Sequence, residues 1–121
     1  MGIKIGNVVQ VKLGTIARTD TTNKLLFNLP SSAQVIRITS NGVASDAGTS
    51  ASVGIYGIPQ GESSAVLLGT LDVKTGVFAN ATLGVGANIR LDKANAIYGS
   101  YAEVGTAAST GGDWIVAVEY I

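Results

Sequence analysis

The final eight residues constrain this chain more than any other stretch. Trp-Ile-Val-Ala-Val-Glu-Tyr-Ile at 114–121 alternates with period two. On an extended backbone Trp114, Val116, Val118 and Tyr120 share one face, while Ile115, Ala117, Glu119 and Ile121 share the other. β-Branched and aromatic residues dominate, so the segment reads as a strand with one wholly apolar side. The last strand is expected to be built into a sheet, and the core is expected to close around it. The second face carries Ile115 and Ile121. It must be covered by another sheet or by a neighbouring subunit.

The remainder divides into similar short pieces. Val9, Val11 and Leu13 alternate with Gln10 and Lys12, which predicts a half-buried strand from residue 8 that can continue past Gly14 through Ile16 to Arg18. Residues 24–29, 34–40, 51–58 and 65–74 are further strands, and 88–91 is a brief one. Turn residues separate them: 19–23, Pro30-Ser-Ser, Asn41-Gly42 leading into a loop to residue 50, and 59–64. In the third strand Ile36 and Ile38 are expected inside, with Arg37 and Thr39 outside. Residues 75–87 read as a long loop with short extended pieces, anchored in the core by Phe78. Residues 92–104 fit a helical face through Ala94, Ile97, Tyr98, Tyr101 and Ala102, but Gly99 and the all-strand surroundings favour a strand. Turn signals every ~8 to 12 residues between short strands predict one all-β domain. Its form is an antiparallel β-sandwich or jelly-roll-like fold of about seven to nine short strands. Residues 1–7 form an N-terminal arm and 8–121 the domain.

Composition bears on what the domain can do. Charged residues are 13% of the chain, about half of the ~25% usual in soluble domains. Mean hydropathy is positive, and 46% of residues are hydrophobic. A domain this small cannot hide that much apolar surface in its own core, so burial in an assembly is expected. The arm, with Ile3 and Ile5, is a candidate for docking on a neighbour. Ile3, Ile5, Val8, Ile115 and Ile121 are the candidate subunit or capsid interface. The eight basic and eight acidic residues balance and are dispersed, so no nucleic-acid footprint is present. The longest uncharged stretches, 47–61 and 75–89, have 15 residues each. They are too short and too rich in small residues to span a bilayer. No secretory signal pattern is visible.

Catalytic chemistry is not expected. The chain has no histidine and no cysteine, which removes the usual general base, thiolate catalysis and zinc sites of the nitrogen–sulfur type. The acids at 20, 46, 62, 72, 92, 103, 113 and 119 stand singly, without the close pairing of a glycosidase or the alternate spacing of a calcium loop. No cofactor or metal site is expected. Gly84-Val-Gly86 lacks the Gly-Lys-Ser/Thr ending of a phosphate loop. One binding chemistry stays open: an exposed aromatic among Tyr56, Tyr98, Tyr101, Trp114 and Tyr120 stacking on a sugar. Seven aromatics in all are only enough for a core, so burial is the expectation.

The stretches Ala17-Arg-Thr-Asp-Thr-Thr-Asn-Lys-Leu-Leu-Phe-Asn-Leu-Pro30, Ala33-Gln-Val-Ile-Arg-Ile38 and Ile97-Tyr-Gly-Ser-Tyr-Ala-Glu-Val-Gly-Thr-Ala-Ala-Ser-Thr-Gly-Gly-Asp-Trp-Ile-Val-Ala-Val-Glu-Tyr120 resemble small structural proteins of tailed bacteriophages. Among these the chain is most similar to capsid decoration, or cement, proteins. The resemblance implies a β-rich, non-enzymatic virion protein, made in the host cytoplasm and placed on the capsid surface. It implies a homotrimer that clamps the major capsid protein, with no nucleic acid or membrane as partner. It carries no individual functional residue over, and residues 45–86 match least. A receptor- or glycan-binding module of a tail fibre or spike, and a head–tail connector or tail subunit, are the other readings.

Overall fold

The structure, a computed structural model, describes residues 8–75, 78–83, 89–91 and 96–121. Strands are the only regular elements among them. Seven are of five residues or more: β1 (Gln10–Ile16), β2 (Lys24–Asn28), β3 (Gln34–Val43), β4 (Ser50–Gly57), β5 (Val66–Asp72), β9 (Ala96–Val104) and β10 (Gly112–Tyr120). Three are short: β6 (Phe78–Asn80), β7 (Thr82–Leu83) and β8 (Ile89–Arg90). Residues 92–95 of the ambiguous segment, residues 76–77 and 84–87 of the expected loop, and residue 88 of the expected brief strand lie outside the described residues. The remainder of the ambiguous segment, β9, is a strand.

Two five-stranded sheets face each other. In sheet A the order is β1-β10-β3-β6, with β8 also on β3; in sheet B it is β2-β9-β4-β5-β7. Every pairing is antiparallel. The fold is an all-β sandwich. Its core takes alternate residues from both inner faces: Ile16, Val35, Ile38, Trp114, Val116 and Val118 from sheet A, and Val53, Ile55, Leu68, Leu71, Ile97 and Tyr101 from sheet B. Each such aliphatic side chain contributes roughly 1.5–3 kcal/mol by leaving water. That gain gives the period-two pattern its force, because a slip of one residue would turn a whole strand's apolar set outward.

The inward face of β10 is the one expected: Trp114, Val116, Val118 and Tyr120 are buried. β10 lies between β1 and β3 through long registers, so the last strand is an interior strand of sheet A.

Three expectations are corrected. The Asn41-Gly42 turn does not form, because β3 runs on to Val43. Gly42 is required there by a close approach: a Cβ would stand 2.7 Å from Cδ1 of Trp114. In the same strand Ile36 is the extra residue of a bulge, since Glu119 pairs with Arg37 and Tyr120 with Val35. Val35 is therefore the residue buried beside Ile38, and Ile36 is half-buried, while Thr39 is buried rather than outside. Finally, the strand from residue 8 is not half-buried through Val9, Val11 and Leu13; all three are exposed. The side chain of Phe78, expected to anchor the core, lies outside what the structure describes.

Candidate assembly interface

The outer face of sheet A is built by register. Ile115 on β10 is opposite Thr15 on β1, Ala117 is opposite Leu13, and Glu119 is opposite Val11. Successive outward residues of the two strands therefore interleave into one patch containing Val11, Leu13, Ile115 and Ala117, with Val9 continuing the β1 row. Leu13 is 62% exposed and Ile115 48%. Exposed aliphatic side chains gathered on one face mark an interaction surface more than isolated ones do. The patch has a polar border on β3: Arg37 donates from Nε to Oε2 of Glu119, and Asn41 is exposed opposite Ile115.

β1 is also an edge. Among the described residues nothing pairs with its outer side, and between Gln10 and Ile16 it has no proline, no bulge and only Lys12 as a charge. Natural sheets usually blunt such an edge. Of the residues singled out from the sequence, Val8 and Ile115 are exposed. Ile121 is half-buried and tied to β3 through both of its backbone hydrogen bonds with Gln34, at 2.9 and 3.0 Å. Ile3 and Ile5 lie outside the described residues. Val9, Val11 and Leu13 were missed as surface residues. Alternation identifies a face but not which way it looks, and the opposite set, Gln10 and Lys12, is exposed as well.

The polar residues of the opposite end serve a loop. Arg18 donates from Nε to the carbonyl of Gly111 at 2.8 Å, from one terminal nitrogen to Ala108 at 2.9 Å and from the other to Ser109 at 3.1 Å. From the other side Asp46 accepts the backbone N–H of Ser109 and Thr110 and the Ser109 hydroxyl. These bonds hold its carboxyl at a pKa of about 2, the Thr110 N–H contributing most. Gly111, at φ 104°, passes so close to Ser45 that a Cβ would meet its Cα at 2.6 Å. Beside this clamp lies a cleft of about 340 Å³ lined by Arg18, Glu103 and Asp113. Glu103 accepts the Ala108 N–H at 2.9 Å, so both Arg18 and Glu103 are engaged in holding the connector between β9 and β10. Among the described residues no three acids gather to hold a metal.

The aromatics divide. Trp114, Tyr101 and Tyr120 are buried, whereas Tyr56 and Tyr98 are half-buried on the outer face of sheet B. Burial pushes the Tyr101 hydroxyl above its ordinary pKa.

No family model matches the chain, and no curated protein does. Among solved structures the fold is similar to that of a chain in the capsid asymmetric unit of Cyanophage Pam1. The likeness has a TM-score of 0.59 and 23% identity, covering 99% of this chain and 89% of that one. At that identity it is a likeness of fold.

Proposed function

We propose that this chain is a non-enzymatic structural protein of a phage virion, a capsid decoration protein that binds the outer shell and stabilises the boundaries between capsid subunits. The observation that carries the reading is the fold shared, over nearly the whole chain, with a component of a cyanophage capsid. The exposed aliphatic face of sheet A supplies the means of attachment. At ~25 cal/mol per Å² of apolar area removed from water, a contact of a few hundred Å² contributes several kcal/mol. A stable protein–protein interface buries roughly 1,200–2,000 Å² in all, and in this reading the patch, its polar border and the β1 edge all contribute to it. In this reading the protein acts as a homotrimer on the major capsid protein. Each bound copy adds to the work of separating neighbouring capsid subunits and so opposes the outward pressure of the packaged genome.

The test is to add the purified protein to shells that lack it and to follow their disruption by heat. Saturable binding with a higher disruption temperature is the expected result. Shells that bind none of it, or that fall apart at the same temperature with and without it, would refute the proposal.

A further inference from the structure

The two outer faces of the sandwich differ in chemistry. That of sheet A is aliphatic; that of sheet B carries two tyrosines and a field of hydroxyls. Tyr56 on β4 is opposite Tyr98 on β9, Leu25 on β2 is opposite Tyr98, and Leu67 on β5 is opposite Tyr56. Leu25, Tyr98, Tyr56 and Leu67 thus form one row across four strands. The leucines are exposed and the tyrosines half-buried.

Gly54 sets the attitude of the Tyr56 ring. A Cβ at Gly54 would stand 3.0 Å from Cε1 and 3.2 Å from the hydroxyl of Tyr56. The ring therefore folds back along the strand over the glycine. The next rung of the face is Thr70, Gly54 and Ser100, and the one beyond it is Asp72, Ser52 and Ala102. That rung opens into a groove of about 310 Å³ lined by Thr49, Ser52, Thr70, Asp72, Lys74 and Thr75. From Tyr56 to Ser52 is four residues of strand, about 13 Å.

We infer that the outer face of sheet B is a binding site for a neutral oligosaccharide, with a sugar ring on the Tyr56–Tyr98 row and the next units running along β4 into the groove. The electron-rich face of a tyrosine attracts the polarised C–H groups on the apolar side of a pyranose. Serine and threonine hydroxyls donate and accept, matching the hydroxyls on the sugar's rim. The groove has one carboxylate and one ammonium, so it offers no net charge to a polyanion or a polycation. Asp72 accepts the N–H of Lys74 at 2.9 Å and of Thr75 at 3.4 Å, and the Thr75 hydroxyl at 3.1 Å. This turn fixes the groove wall before a ligand arrives, which lowers the ordering cost of binding. At the groove, an apolar protein surface fits poorly, since it would strip water from the hydroxyls and from Asp72 without replacing the bonds.

The site concerns the isolated protein, and its test is separate from any shell. The protein is titrated with neutral tetrasaccharides of glucose, galactose, mannose and N-acetylglucosamine at millimolar concentration and followed by NMR. At least one is expected to move the ring signals of Tyr56 and Tyr98 and the amides of Ser52 and Thr70, leaving the methyl signals of Leu13 and Ile115 in place. Tyr98→Ala should weaken that binding about tenfold, and Tyr98→Phe, which keeps the ring, within about twofold. If no sugar of the panel moves these signals, or if a folded Tyr98→Ala binds as well as the parent, the assignment is overturned. Should Tyr98→Ala fail to fold, the map on the unmutated protein decides alone.

Discussion

Tyr101 and Trp114 stack across the sandwich, with ring centroids 5.2 Å apart and planes 12° from parallel. One ring comes from β9 in sheet B and the other from β10 in sheet A, so the pair joins the two layers at their largest side chains. The Tyr101 hydroxyl continues the contact to Ser45 Oγ at 2.7 Å, in a buried bond. Ser45 Oγ in turn accepts the N–H of Ala47 at 3.2 Å, which fixes the loop between β3 and β4 over the stack.

Tyr101→Phe keeps the stacked ring and removes only the bond to Ser45. Its expected cost is about 1 kcal/mol. Tyr101→Ala loses the ring as well and should cost about 3–5 kcal/mol. Chemical denaturation followed by circular dichroism separates the two, and equal losses would mean that the stack contributes nothing.

Gly42→Ala puts a methyl group within 2.7 Å of Trp114 Cδ1 and 2.9 Å of its Cα. Backbone cannot yield as a flexible side chain does, so the variant should lose about 1–3 kcal/mol. Its lone tryptophan should also report a shifted ring in fluorescence. A variant as stable as the parent would show that the strand does not pass this close to Trp114.

The pH dependence follows from Asp46. Its folded pKa, about 2, lies below the ordinary 3.8, so the folded state binds the proton less readily than the unfolded one. The stability it contributes is fully present above the ordinary carboxylate value and is lost as pH falls from about 3.8 through about 2. Asp46→Ala should flatten the stability curve in that window and free the connector at 105–111. Thermal melts between pH 5 and 2 check the first, and amide exchange at Ser109 and Thr110 the second.

Much of the sandwich is legible in the residue order because burial enforces period two. The inner faces of β4 and β10 follow directly from alternation, whereas β9, whose apolar residues also fit a helical face, is read as a strand only from Gly99 and its all-strand surroundings. What escapes is set by contacts between distant residues. Gly42 looks like a turn until Trp114 is laid against it, and the bulge at Ile36 moves Val35 inward by one place. The direction of β1 is the clearest case. Both of its faces are exposed over most of its length, so its apolar residues do not serve the core of this domain. Ile115 was recognisable as half of the candidate interface; Leu13, the other half, depends on the β1–β10 register.

Leu13→Asp and Ile115→Asp should leave the fold intact. Leu13 is 62% exposed and Ile115 48%, so the cost usual for surface substitutions, less than about 0.5 kcal/mol, is expected at Leu13 and a larger but tolerable one at Ile115. Paired with native-like melting, each should reduce attachment to shells about tenfold or more, because a buried, unpaired charge is costly at an interface. Unchanged attachment in both would move the interface off this face.

The most direct test of the account is an electron-microscopic reconstruction of a virion to which, on the proposed reading, this chain belongs. The account predicts density for the sandwich on the outside of the shell, bridging capsid subunits. The outer face of sheet A, with Leu13 and Ile115, should lie against them, and Tyr56 and Tyr98 should turn toward solvent. Density elsewhere in the particle, or a shell-bound copy with Leu13 and Ile115 open to water, would contradict it.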